Sequence, residues 1–557
     1  MNGIQAALEV LHAAGVTHLF GNPGTTELPL NAALVSDPRF QYVFGVHEIP
    51  VTSMADGFAM ARQEIAFINL HTACGLGNAM GMLYNAMIER TPLVVTAGQQ
   101  DHRLMVEEPV LYGDLVSIAR PLVKYATEIR RAQDFPTLLR RAIQTALTPP
   151  TGPVFLSLPL DVQQGLVDGL HLDLSPPMIP DRRTRPSRAR LEEAAELLAA
   201  ARNPVILAGS RVMEAGAAVE LTRLAETLGA TVLAEGTVSH GRLPMSSAHP
   251  LYAGVMPYWA PDVEACLREY DCIFAVGMSV LRMYIHKPPE NPLPPNASLI
   301  HLDNDPWEIG KNHPVSVGLP GDPKCGLDEL ADLVSARMSP TRKAESQRRL
   351  AAANSAKQAA QDKLRAEIAA GHNQRPLPPA SFMGAMARVL PENIAVVEEA
   401  ITSHQNVFER LGLLRDPSGF FAHRGWALGW GMGCTLGVKL AWPDRPVLGL
   451  IGDGSALYGI QALWSAAHHQ IPVTYVIANN RQYKILKVCG EVMGLPELTD
   501  PRCPGIALHE PKADYVGLAR SFGVEADHVS DPDELSERLA ACLSSGKPHL
   551  LEVPVAA

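Results

Sequence analysis

The sequence predicts an α/β chain of three domains, each built around a mostly parallel sheet. Three observations carry this. Short apolar runs alternate with amphipathic helical stretches along the whole chain, which is the pattern of repeated βαβ units. Two proline-containing stretches divide that alternation into three regions of comparable size. The 557 residues, 47% of them hydrophobic, supply several buried cores at the usual ratio of roughly 150 residues per domain.

In chain order, residues 1–16 read as an amphipathic helix with Ile4, Ala7, Leu8 and Leu11 inward, and they carry no basic leader of the signal-peptide kind. Strands are expected at 17–20, 42–46, 66–70, 93–97 and 154–158, with a helix over 48–61. This first region runs to about Asp168, and a Pro- and Arg-rich stretch, 174–188, reads as a linker. In the second region, about 189–336, strands are expected at 204–208, 230–233, 273–276 and 298–302. A polar, Ala-rich helix follows from Pro340 to Ala370, ends at Gly371, and gives way to Pro376, Pro378 and Pro379. The third region, from about 380, has strand patterns at 394–397, 447–451, 473–478 and 550–553.

The charge balance, 58 acidic against 47 basic residues for a net −11, disfavours a nucleic-acid partner, which needs a basic face. No apolar run reaches the roughly 18–20 residues that cross a bilayer. Eight cysteines stand at 74, 266, 272, 325, 434, 489, 503 and 542, with no pair at C-x-x-C spacing. A structural zinc site is therefore not expected, and a reduced, cytoplasmic setting is.

The segment 446–455 (PVLGLIGDGS) is a strand ending in Gly452-Asp453-Gly454. Glycines there let backbone N–H groups approach a phosphate, and the helical pattern expected over 456–470 would aim its first N–H groups at an anion. The next strand ends in Asn479-Asn480. One helical crossover separates Asp453 from Asn480, and strands joined that way are commonly neighbours whose ligands bind outside their carboxyl ends. A carboxylate and a carboxamide oxygen beside a phosphate cradle suit Mg²⁺.

This pattern resembles the thiamine-diphosphate motif. The resemblance implies that thiamine diphosphate is the cofactor and that Asp453, the Asn480 side chain and the Gln482 main-chain carbonyl hold Mg²⁺. Glu48, between the strand 42–46 and the helix 48–61, is then the candidate carboxyl for the cofactor's pyrimidine nitrogen; without that context it would simply complement the helix dipole.

Gly21-Asn22-Pro23-Gly24-Thr25-Thr26-Glu27-Leu28-Pro29, Phe67-Ile68-Asn69-Leu70-His71 with Gly75-Leu76-Gly77-Asn78-Ala79-Met80-Gly81, and Pro92-Leu93-Val94-Val95-Thr96-Ala97-Gly98-Gln99-Gln100 resemble the thiamine-diphosphate-dependent 2-oxo acid decarboxylases, in particular benzoylformate decarboxylase, and more distantly acetolactate synthase. The resemblance implies three doubly wound parallel-sheet domains: pyrimidine-binding (1–170), central (189–336) and diphosphate-binding (376–557). It also implies a homo-oligomer, a dimer at least and commonly a tetramer, with Glu48 from one chain meeting Asp453 from another.

Residue by residue, Thr25 matches the family's active-site serine, though its hydroxyl would equally cap the following helix. His71 matches the proton-relay histidine. Leu428, in His423-Arg424-Gly425-Trp426-Ala427-Leu428-Gly429, matches the apolar prop that keeps the cofactor bent. Thr402 and Ser403 match the diphosphate-binding region, Ser455 adds a hydroxyl, and Trp426, Gly454, Tyr483 and Ile485 fall in cofactor-lining segments. The family's second histidine falls on Tyr284, with His286 two residues on and His102 as a further candidate. Ile485 is larger, and Cys489 smaller, than the matched residues of the substrate pocket. The implied reaction is decarboxylation of a 2-oxo acid to an aldehyde and CO₂. The alternatives are a carboligase of the acetolactate synthase kind, a flavin- or nicotinamide-binding oxidoreductase, for which the second region lacks a Gly-x-Gly-x-x-Gly, and a catalytically silent cofactor-binding or assembly protein.

Overall fold

A computed structural model describes residues 1–167, 174, 180–236 and 241–557. In it, short apolar runs become strands in three six-stranded parallel sheets. The first holds β1 (His18–Gly21), β2 (Gln41–Phe44), β3 (Ala66–Leu70), β4 (Leu93–Gln99), β5 (Ala126–Glu128) and β6 (Val154–Pro159), in the order β2-β1-β3-β4-β6-β5. The second holds β7 (Pro204–Ala208), β8 (Thr231–Ala234), β9 (Tyr252–Val255), β10 (Cys272–Val276), β11 (Ser298–Asp303) and β12 (Val317–Pro320), in the order β12-β11-β10-β7-β8-β9. The third holds β13 (Ala395–Glu399), β14 (Phe420–Phe421), β15 (Val447–Gly452), β16 (Thr474–Asn479), β17 (Glu525–His528) and β18 (His549–Pro554). Its order, β14-β13-β15-β16-β18-β17, repeats the winding of the first sheet. The second sheet has the winding of a dinucleotide-binding sheet.

Side chains alternate across a strand, and the cores follow that rule. Ala395, Val397, Ile451, Tyr475 and Ile477 of the third sheet share one core with Phe20, Ile68, Leu70, Val95 and Ala97 of the first. Their neighbours Val396, Leu448, Leu450, Val476 and Ala478 face the other way, into a core continuous with that of the second sheet. Between the first and third sheets lie the helices Glu48–Arg62, Thr72–Glu89 and Trp430–Ala441.

Every strand expected from the sequence is present. Among the described residues five more exist, β5, β9, β12, β14 and β17, and each lies at a sheet edge. Edge strands bury less and need fewer apolar residues, so their patterns are short or broken. The first helix is Gly3–Ala13, closed by an Asn2/Gln5 capping box with Ile4, Ala7, Leu8 and Leu11 buried. The expected helix Pro340–Ala370 forms over its whole length. The expected helix over 456–470 is instead two short ones, Asp453–Gly459 and Ala462–His468; a side chain on Gly459 would strike the Gly429 carbonyl, so the chain packs tightly there and turns. Of the expected linker, residues 175–179 lie outside the described residues, as does the boundary at 168; helix Arg188–Ala200 follows.

The helices Glu48–Arg62 and Trp430–Ala441 meet backbone to backbone. A Cβ on Gly433 would lie 2.7 Å from the Pro50 carbonyl oxygen, and one on Gly437 would overlap that of Met54. Asp56, fully buried, accepts a hydrogen bond from Trp430 Nε1 at 2.6 Å across this joint. Burial raises its carboxyl from 3.8 to about 6.

Gly437→Val should cost about 3 kcal/mol or more through overpacking, read as a fall in thermal midpoint; an unchanged midpoint would show that the helices do not need this contact. The raised Asp56 carboxyl means that the folded state prefers the protonated form. Stability should therefore fall as pH rises from 3.8 towards about 6, by up to about 3 kcal/mol. Asp56→Asn should flatten that part of the urea-unfolding profile, and equal slopes in both proteins would contradict it.

Candidate active site

The site begins where β15 and β16 end. These strands pair in parallel, with Gly452 opposite Ala478, so the residues that follow emerge side by side. Asp453 is buried. One of its oxygens accepts the Gly454 N–H at 2.9 Å and the other the Arg481 N–H at 2.6 Å. Desolvation raises its carboxyl to about 6, against these backbone hydrogen bonds, which lower it. The Tyr515 hydroxyl donates to the Asp453 carbonyl at 2.9 Å, and Asn480 Oδ1 accepts the Gln482 N–H at 3.1 Å. Among the described residues no cationic side chain forms an ion pair with Asp453, which leaves a buried carboxylate without a counter-charge. The donor types on hand, one carboxylate, one carboxamide oxygen and main-chain carbonyls, fit a hard divalent cation.

Asp453, Gly454, Ser455, Asn480, Gln482, Tyr483 and Ile485 line one cavity with Thr402, Ser403 and Leu428. Thr402 and Ser403 follow β13, the neighbour of β15, so the cavity lies over the switch point of the sheet, where ligands of such folds bind. The Tyr483 ring covers Gly454, where a Cβ would strike it; burial raises its phenol to about 12. Trp426 is not among the lining residues. It packs edge-on against Tyr284, ring centres 4.6 Å apart, and its indole N–H is buried without a partner in the described residues.

The second half of the site is on the first sheet. Glu48 opens its helix and is 5% exposed. Asn22 Nδ2 donates to its Oε1 at 3.2 Å and Asn78 Nδ2 to its Oε2 at 3.0 Å. His71 Nδ1 is hydrogen-bonded to Glu27 Oε2 at 2.8 Å. Glu27 is fully buried and also accepts from Thr26 Oγ1 and from the N–H groups of Gly24 and Gly98. Thr25 is exposed at the start of the turn Thr25–Glu27. Its expected capping role is not seen: the turn Thr25–Glu27 starts from Gly24 and the helix Leu28–Leu34 from Glu27.

Tyr284, the residue expected at the place of a second histidine, stands in an aromatic cluster with Trp259 and Trp426. The Tyr284 phenol lies by Cys489, and burial raises both groups. His286 is not brought to this cluster; its ring is 72% exposed and pairs with Glu290 at 3.7 Å. His102 is tied to Asp161 at 2.9 Å. Sequence reasoning missed Glu27, Asn22, Asn78 and Glu399. The first three stand inside the quoted motifs, but nothing local marks them as partners. Glu399, fully buried and raised by burial, accepts the N–H groups of Gly429 and Gly431 and faces His423 at 3.3 Å. Left-handed backbone at non-glycine residues recurs in these segments: Thr72 (φ 44°), Leu281 (φ 54°), Trp426 (φ 62°) and Arg481 (φ 58°). Such strain persists where surrounding structure holds it in place.

Three family domains match the chain: the thiamine pyrophosphate enzyme N-terminal TPP binding domain at 1–112, the central domain at 191–330 and the C-terminal TPP binding domain at 400–553. The chain belongs to the thiamine pyrophosphate enzymes. Within that family it is 35% identical to benzoylformate decarboxylase of Pseudomonas aeruginosa, over 99% of this chain and 98% of that one. It is 26% identical to the acetolactate synthase isozyme 3 large subunit of Escherichia coli, over 98% and 92%. The solved thiamine diphosphate-dependent 4-hydroxybenzoylformate decarboxylase of Rhodococcus jostii RHA1 superposes with a TM-score of 0.85 at 32% identity, covering 100% of this chain and 99% of that one.

Glu27→Gln should lower turnover by about 10²-fold or more, because an amide cannot hold the His71 tautomer while accepting the same N–H groups. Turnover within twofold of wild type, at equal thermal midpoint, would exclude Glu27 from orienting His71.

Proposed function

We propose that this enzyme decarboxylates a benzoylformate-like 2-oxo acid to an aldehyde and CO₂ with thiamine diphosphate and Mg²⁺. The observation that carries the reading is the buried, cation-free Asp453 beside Asn480 and Gln482 at adjacent strand tips. Asp453, Asn480 Oδ1 and the Gln482 carbonyl would hold the metal, and Thr402, Ser403, Gly454 and Ser455 the diphosphate. When bound, thiamine diphosphate supplies the nucleophilic carbon and the electron sink for loss of CO₂.

The chain's own residues do the rest. Glu48, shielded from water and oriented by two amides, presents its carboxyl group to the pyrimidine nitrogen, with which it would share a proton. Leu428, which lines the cavity, would give the cofactor an apolar support there. His71, with Nδ1 engaged by Glu27, has Nε2 left to exchange a proton with the product. Tyr284, partly exposed but packed on Trp426, supplies the second proton-bearing group in place of His286, and the Thr25 hydroxyl meets the substrate carboxylate. Trp426 contributes by packing against Tyr284.

Every residue lining the Asp453 cavity lies between 399 and 485, so Glu48 is not among them. This supports a site completed by a second copy, hence a homodimer at least and a tetramer as the expected assembly. Leu457 and Tyr458, exposed beside the cavity, and Val106 and Val110 beyond β4 are apolar surface that such a contact would cover. Domain limits of 1–170, 189–336 and 376–557 enclose the three family matches and the three sheets. All eight thiols are free, which supports a reducing, cytoplasmic location. Among the described residues no helix is long and apolar enough to cross a membrane.

A panel of 2-oxo acids, with thiamine diphosphate and Mg²⁺, tests the reading by following CO₂, aldehyde and hydroxyketone. Aldehyde with CO₂ is expected; a hydroxyketone as main product would favour the carboligase, to which the acetolactate synthase relationship points. Glu48→Gln should remove most turnover and leave cofactor binding, and full activity would overturn its role. Chelation with EDTA should abolish activity, and Mg²⁺ should restore it.

A further inference from the structure

The second sheet reverses its winding between β7 and β10, and the crevice at those strand tips is where such a sheet binds a nucleotide. Here the crevice is filled from within. Arg211, just past β7, is buried against Asp303 at 2.8 Å. A Cβ on Gly209 would lie 2.5 Å from that of Met278. Glu235, past β8, and Glu214, at the end of helix Ser210–Glu214, bring two further carboxylates. The cation that meets them comes from another domain. Arg424 of the third domain, its side chain 2% exposed, reaches Glu235 at 3.4 Å, Glu214 at 3.4 Å and Glu89 at 3.1 Å. Its backbone N–H also bonds Glu89, the last residue of helix Thr72–Glu89.

Arg424 stands four residues before Leu428. The loop between them is pinned elsewhere: Asn85 accepts the Ala427 N–H at 3.0 Å and donates to its carbonyl at 2.9 Å, and Glu399 takes the Gly429 N–H at 3.1 Å. An apolar side chain would occupy the Arg424 volume at lower desolvation cost. A guanidinium instead fixes direction, because its planar N–H groups each require an oxygen. We propose that Arg424 is a positioning residue: docked in the central domain's crevice in place of a ligand, it holds the loop 423–429 so that Leu428 faces the cofactor cavity. The central domain thereby takes part in cofactor placement. This rests on the reading of Leu428 given above.

The test is a double-variant cycle in the full-length protein, using Arg424→Lys, Leu428→Ala and both together. The readouts are thiamine diphosphate Kd by fluorescence titration with Mg²⁺, kcat at saturating cofactor, and thermal midpoint. If Arg424 acts through Leu428, Arg424→Lys should weaken cofactor binding about fivefold and Leu428→Ala about tenfold, with the double variant near tenfold, not fiftyfold. Multiplied effects, or an unchanged Kd and kcat beside a lowered midpoint, would overturn it and leave Arg424 purely structural. Glu235→Gln, which keeps volume and removes one charge, gives the same cycle should the lysine variant fold poorly. The wild-type titration is read first: no binding there overturns the function as well, whereas binding followed by an additive cycle overturns only the role of Arg424.

Discussion

Parallel pairing of β15 with β16 is the constraint on which the site rests. Because Gly452 lies opposite Ala478, the turns after the two strands leave the sheet together. Asp453 therefore meets the N–H of Arg481 directly. A one-residue slip would turn every side chain to the other face and separate the carboxylate from Asn480. The apolar alternation that divides the third sheet between two cores fixes the register, so core packing and site geometry are one requirement.

Four buried carboxylates organise the rest, and N–H groups, not cationic side chains, meet nearly all of them. Glu48 takes two carboxamides, Glu27 two backbone N–H groups and a histidine, Glu399 two backbone N–H groups and a histidine, and Asp453 two backbone N–H groups. In a low-dielectric interior, hydrogen bonds of this kind are strong and directional. They set where a carboxylate points without neutralising it, which is what a group that binds a cation or shares a proton needs. Where the structure does pair buried charge with charge, Arg424 joins domains, whereas Arg211 and Asp303 close the central domain's own crevice.

The sequence was legible where local pattern and chemistry coincide. Strands buried on both faces read as apolar runs, so β3, β4, β7, β15 and β16 stand out, while the edge strands β5, β9, β12, β14 and β17 do not. Asp453, Asn480, Gln482, Glu48 and His71 stand at strand ends or helix starts, where spacing marks them. Glu27 gave no such signal: its value lies in Gly98 and His71, both distant along the chain. Tyr284 and His286 stand two positions apart in the sequence, and only the structure sets them in different surroundings, one ring against Trp426 and the other in solvent.

By itself the sequence determined the fold class, the cofactor family and the residue types at the strand tips, because these follow from periodicity and from short motifs read along one segment. The tertiary structure alone decided which distant groups hold those residues in place. It showed Glu27 behind His71, Asn22 and Asn78 on Glu48, and a central-domain crevice closed on Arg424. Partners of that kind are chosen by how sheets and helices dock, and no local spacing records the outcome.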